Sequence, residues 1–93
     1  MIDYRFEMDN KRAAAYREGA LIGEATISPS ASVWILDHTF VDDSAGGLQV
    51  GRHLVDTVAK AARDAGVKVL PLCPYAKRVM EGDAAYQDVL AGK

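Results

Sequence analysis

The stretch from Val41 to Tyr75, VDDSAGGLQVGRHLVDTVAKAARDAGVKVLPLCPY, switches its hydrophobic period within a few residues and so admits few folds. Val50, Leu54, Val58, Ala61 and Ala65 recur at helical spacing, with Arg52, Asp56, Lys60, Arg63 and Asp64 on the remaining surface. Gly66 ends that helix, and Val67–Leu72 reads as a short buried strand. Pro71 inside it predicts that one strand edge is irregular or splayed. Cys73-Pro74 then opens a second helix running through Val79 and Met80, with proline at a first helical position where its missing N–H costs nothing. A strand, a glycine-rich loop and a helix N-terminus in succession form a place for an anionic group. Free backbone N–H groups and the positive end of the helix dipole converge there.

Upstream of residue 41 the period is two. Tyr4, Phe6 and Met8 alternate with Arg5 and Glu7, and Asp9-Asn10 and Glu18-Gly19 are turn pairs. Ala20–Ser28 sets Leu21, Ala25 and Ile27 on one face and Glu24, Thr26 and Ser28 on the other. Ser32–Val41 is apolar through Val33, Trp34, Ile35 and Leu36, which predicts a central strand covered on both faces. After Gly82-Asp83, Ala84–Leu90 reads as a last helical turn or two. The order is ββββ-α-β-α, an α+β fold with helices packed on a mostly antiparallel, twisted sheet.

Ninety-three residues suffice for one domain, 1–93, and are too few for two. At 49% hydrophobic and 26% charged the chain has the makeup of a soluble domain with a packed core. A net charge of −2 argues against sequence-independent nucleic-acid binding, which needs a basic patch. One cysteine excludes an internal disulfide and a cysteine-rich zinc site, and His38 and His53 are spaced like no metal motif. No apolar run approaches a membrane span and no signal peptide is recognisable, so a cytoplasmic protein without membrane contact is expected.

The segments HTFV (His38–Val41), GGLQVG (Gly46–Gly51), LPLCPY (Leu70–Tyr75) and AYQDVL (Ala85–Leu90) resemble a family of very short, single-domain acetyltransferase-like proteins of the GNAT superfamily. The resemblance spans nearly the whole chain. It implies a GNAT-like sheet in a minimal version, because Asp9-Asn10 leaves no room for helices between strands 1 and 2. It also implies acetyl-CoA or coenzyme A as co-substrate and no metal. In the superfamily, the loop Arg/Gln-x-x-Gly-x-Gly/Ala holds the pyrophosphate on backbone amides, and the preceding strand pairs with the pantetheine arm. Carried onto this chain, the binding residues are Phe40, Val41, Gly46, Gly47, Leu48, Gln49, Val50, Gly51 and Arg52, with Cys73 and Pro74 near the thioester. Gly46 stands where Arg or Gln is usual and Gln49 where Gly is usual. Gln49 is compatible with binding if its φ is negative. Asp42 and Asp43 would repel an anion unless they turn away, and Arg52 and His53 would partly offset them.

Acyl transfer to an amine needs a polarised carbonyl, a deprotonated amine and a stabilised leaving thiolate. A backbone N–H of Phe40 or Val41 is the expected polarising group. Cys73, at a helix N-cap, is a candidate nucleophile or acyl-site wall, against the alternative of a small apolar residue at a strand–helix junction. His38 is a candidate general base, against a structural histidine sharing a face with Leu36 and Phe40, while Thr39 bonds a neighbouring strand or loop. Tyr75, ahead of Tyr86, is the candidate proton donor to the leaving thiolate. The resulting expectation is an N-acyltransferase, monomeric or homodimeric, with an open acceptor side suited to a polyamine, peptide or protein amine. The alternatives are a non-catalytic CoA or acyl-CoA-binding module and a protein-interaction domain.

Overall fold

The computed structural model describes residues 1–46 and 49–91. Its sheet runs β1-β2-β3-β4-β5, from β1 (Ile2–Glu7), β2 (Arg12–Arg17), β3 (Ala20–Pro29), β4 (Val33–Val41) and β5 (Lys68–Pro71). The first four form an antiparallel meander, and β5 joins β4 in parallel after the crossover through α1 (Val50–Ala65). That crossover is what a parallel neighbour requires. The second hairpin turns on Glu18 and Gly19, with φ of 51° and 82°. Positive φ at both central residues matches the twist of the flanking strands.

One face of the sheet carries α1 and α2 (Pro74–Glu81), and the core lies between. Leu54, Val55, Val58 and Ala62 of α1 are fully buried against Ala13, Ala15, Trp34 and Leu36. Phe6 stacks on Trp34 with ring centres 5.3 Å apart, which ties the edge strand to the centre. Gly66, at φ 73°, closes α1 by donating to the carbonyls of Ala62 and Arg63. The tail contributes the expected helical turn as a short 3-10 turn (Ala84–Tyr86), and then an isolated bridge from Leu90 to Val69. The amide of Val69 donates to Val89 at 2.7 Å, so the segment after the turn covers the outer edge of β5.

Two bulges correct the face assignments read from the sequence. The β2/β3 register shifts between Ala15 and Tyr16, so Ile22 is the buried residue and Leu21, 41% exposed, faces away. In β4, Thr26 pairs with His38 but Ile27 pairs with Leu36, leaving Asp37 as an extra residue. An extra residue inverts the side-chain alternation beyond it. Trp34 and Leu36 face the core, and after Asp37 it is Thr39 and Val41 that point to the helix side, while His38 and Phe40 are exposed. β4 is central, but it is covered on one face only, with Val33 and Ile35 half-buried on the other.

The helix-free face is braced by a charged network across three strands. Arg12 donates to Glu7 and to Glu24, each at 2.9 Å, and the Tyr16 hydroxyl donates to Glu7. The Tyr16 hydrogen bond first, and Arg12 next, hold the Glu7 carboxyl at about 2. The folded value therefore lies below the ordinary 4.5, so the network's contribution is complete above that range and is lost as pH falls toward about 2. Acid titration followed by circular dichroism should show stability declining across that window. Glu7→Gln should flatten the decline and lower stability at neutral pH.

Candidate active site

β4 and β5 part company midway. Their pairing ends at Leu36 and Pro71, and the Leu36 carbonyl then accepts from the amides of both Leu72 and Cys73, at 3.0 and 3.3 Å. Proline has no amide to extend the ladder, as Pro71 forecast. Beyond this point the outer edge of β4 is free. The Asp42 amide donates to Ile22 at 2.7 Å, so by strand alternation Phe40 also bonds β3, whereas the amides of Thr39 and Val41 face the gap. Of the two residues considered for a polarising amide, the geometry places Val41 at the gap. Phe40 is 43% exposed on the helix-free face.

The gap is the inner end of a cleft of about 380 Å³, lined by Thr39, Val41, Gly46, Gln49, Gly51 and Tyr75 with Ala45 and Val50. The first turn of α1 forms one wall. Gln49, its N-cap, makes no side-chain cap, and the first turn holds no acidic residue, so the helix presents free amides there. Gln49 lies at φ 55°, the left-handed region that glycine occupies without strain. The condition for an unstrained loop at this position is therefore not met. Gly47 and Leu48, the middle of the expected phosphate loop, lie outside the described residues.

Local charge is arranged compatibly with an anion. Asp42 turns onto Ser44, accepting from its amide at 3.0 Å and from its hydroxyl, and the Ser44 hydroxyl first and amide second lower its carboxyl pKa. Arg52 points outward to Asp83 at 2.9 Å. His53 leaves the cleft altogether and packs on Tyr4 with ring centres 5.0 Å apart. A second groove of about 400 Å³ lies there, between β1 and α1, lined by Tyr4, Phe6, Asp56 and Asp64 among others. Its Asp56 is already engaged by Lys60 and by the Tyr86 hydroxyl, and it lies away from Thr39 and Cys73.

Cys73 is the N-cap of α2 and 9% exposed, just behind the cleft wall. Burial alone would push its thiol up. The Ala76 amide, the Thr39 hydroxyl, and the amides of Tyr75 and Thr39 outweigh that and leave the thiol below its ordinary value. These groups face the sulfur without completing a well-formed cap bond. Pro74 takes the first helical position, and Tyr75, 37% exposed, reaches across to α1. A Cβ on Gly51 would sit 3.0 Å from the Tyr75 ring, so this glycine is also what lets the ring close on the helix. His38 emerges on the opposite sheet face, where its carbonyl accepts from the Thr26 hydroxyl at 3.4 Å. Tyr86 is buried and donates its hydroxyl to Asp56 at 3.0 Å, which makes it a strut; burial first and that bond second push its hydroxyl up to about 12. Thr39 was not legible as a site residue, since a plain alternation turns it away.

A family model described as GCN5-related N-acetyl-transferase matches residues 5–89, and the chain belongs to that family. The chain is similar to a GCN5-like protein from Staphylococcus aureus whose structure was solved by NMR. The two are 28% identical with a TM-score of 0.74, over 98% of this chain and 89% of that one. An aminoglycoside 6'-N-acetyltransferase complexed with coenzyme A is 26% identical with a TM-score of 0.52, over 64% of this chain and 36% of that one. A protein of meticillin-resistant Staphylococcus aureus shares the fold at 14% identity and a TM-score of 0.66, over 100% of this chain and 97% of that one. No curated protein matches the sequence. No helix among the described residues is long and apolar enough to cross a membrane, and none of their side chains cluster as metal ligands.

The strut and the cleft are separable. Tyr86→Phe removes the hydrogen bond to Asp56 at 3.0 Å and should lower stability by about 1 kcal/mol in urea unfolding, leaving ligand binding in the cleft unchanged.

Proposed function

We propose that the chain is an acetyl-CoA-dependent N-acyltransferase acting on an amine acceptor. The observation that carries this reading is the junction of two unsatisfied backbone edges. The free amide of Val41 on β4 opens beside the uncapped N-terminus of α1, next to the Thr39 amide on the Cys73 side of the gap. An extended arm with amide groups fits the first, and a pyrophosphate fits the second. The residues present therefore suit coenzyme A, which brings the acyl group as an activated thioester.

Within this reading, the amides of Gln49, Val50, Gly51 and Arg52 hold the pyrophosphate, with Gly46, Gly47 and Leu48 completing the loop. Val41 N–H polarises the acyl carbonyl. Tyr75, at the cleft mouth, delivers a proton to the departing thiolate, and Cys73 stands at the acyl end as nucleophile or wall. His38 has no place in this cleft, and base catalysis from it would require the other face. The acceptor side is open, because the β1–β2 link is a three-residue 3-10 turn (Met8–Asn10). An exposed polyamine, peptide or protein amine suits such a surface.

Two observations favour a second reading, a CoA-binding module without turnover. Gln49 holds a left-handed conformation in the loop, and Cys73 lies behind the cleft lining. Calorimetric titration with CoA and acetyl-CoA, with adenosine diphosphate as control, tests the site. Binding that requires the pantetheine arm is expected, and its absence at millimolar ligand would overturn both readings. Gln49→Gly should raise stability in urea unfolding by about 1 kcal/mol by relieving the left-handed strain already present without ligand. Incubation with acetyl-CoA should add one acetyl mass that Cys73→Ser abolishes if Cys73 is the nucleophile. Turnover with an amine and no such adduct would make it a wall, and CoA binding without turnover would favour the module.

A further inference from the structure

Among the described residues, one buried side-chain polar atom lacks a hydrogen-bond partner, and it is the Thr39 hydroxyl, whose oxygen exposes less than 1 Å². Leaving such a group unpaired costs about 1–3 kcal/mol, so its position calls for a reason. The Asp37 bulge turns Thr39 toward the helices, where it lines the cleft with Val41, Gly51 and Tyr75. Cys73 is held against the same strand by its amide, which donates to the Leu36 carbonyl at 3.3 Å; burial pushes its thiol up, and the Thr39 hydroxyl and amide are among the groups that outweigh this.

We propose that Thr39 is a positioning residue for Cys73: its hydroxyl is held in reserve as a hydrogen-bond donor that engages the sulfur when the thiol ionises. A neutral thiol is a weak acceptor, so the resting hydroxyl gains little from it and stays unpaired. A thiolate accepts strongly, and the hydroxyl proton needs only a rotation about one bond to reach it. Because the bond exists in one protonation state and not the other, its whole value favours the thiolate. The amides of Thr39, Tyr75 and Ala76 are fixed by their strand and helix and add to it without moving. Of the other elements packed nearby, α1 contributes the non-ionisable Val50 and Gly51 to the cleft, and α2 contributes the Tyr75 phenol. His38 lies on the other sheet face. The inference deepens the proposed acyl-transfer site, and its test needs no acyl donor.

Cys73 is the sole cysteine of the chain, so the ultraviolet absorbance of its thiolate, with Cys73→Ser as blank, reads ionisation directly and does not require solvent access. Thr39→Val keeps the side-chain shape and deletes the donor. The fraction of Cys73 ionised at neutral pH should fall about fivefold and recover at high pH, and Thr39→Ser should restore it. Tyr75→Phe, measured alongside, separates phenol ionisation from the thiolate signal. An unchanged titration in Thr39→Val, or equal loss in Thr39→Val and Thr39→Ser, would overturn the proposal. If valine disturbs the fold by circular dichroism, Thr39→Ala is judged by the same criterion. A shifted titration with no acetyl adduct on Cys73 would support the role of Thr39 and reject Cys73 as nucleophile, so the two readings fail independently.

Discussion

The cleft depends on one carbonyl. Leu36 gives its oxygen to two successive amides, those of Leu72 and Cys73, and with that the parallel ladder between β4 and β5 stops. A strand that continued to pair would have no free edge, and an irregular one would lose its direction. Here β4 continues straight along β3 as far as Val41 while the chain after Pro71 turns into α2. The result is a row of free amides along the outer edge of β4. Pro71 prevents the ladder from reforming, and Pro74 starts the helix that carries the chain away.

The bulge at Asp37 decides what that edge displays. Without it, His38 and Phe40 would line the cleft and Thr39 would lie outside. With it, the cleft receives a small hydroxyl, a β-branched apolar side chain and their amides. No charged side chain occurs among its described lining residues, and α1 approaches closely because Gly51 leaves room for Tyr75. A site built from backbone groups and small side chains suits an extended ligand more than a compact charged one.

Electrostatics is kept out of the way. Two carboxylates near the loop and the first helical turn are occupied, Asp42 by Ser44 and Asp83 by Arg52, while Asp43 is exposed. On the far face, Glu7, Arg12 and Glu24 compensate one another across three strands. These ion pairs are partly exposed and add modestly to stability.

The element order, the helix limits and the place of the splay were legible in the chain, because periodicity, glycine and proline act locally. Gly66 stops a helix and Pro71 blocks a ladder wherever they stand. The family resemblance in HTFV, LPLCPY and AYQDVL likewise rests on the residues themselves. What tertiary structure alone decided was parity. A bulge arises from how two strands match in register, and nothing in the local pattern of Ala20–Ser28 or Ser32–Val41 announces the extra residue. Leu21 and Ile22 exchanged faces, as did His38 and Thr39, so the histidine expected near the chemistry lies outside and the threonine expected to be structural lies within. The sequence by itself determined which elements form and where the sheet must open. Only the packed sheet determined which side chains look into the opening, because a side chain's face depends on its pairing partner as much as on its place in the chain.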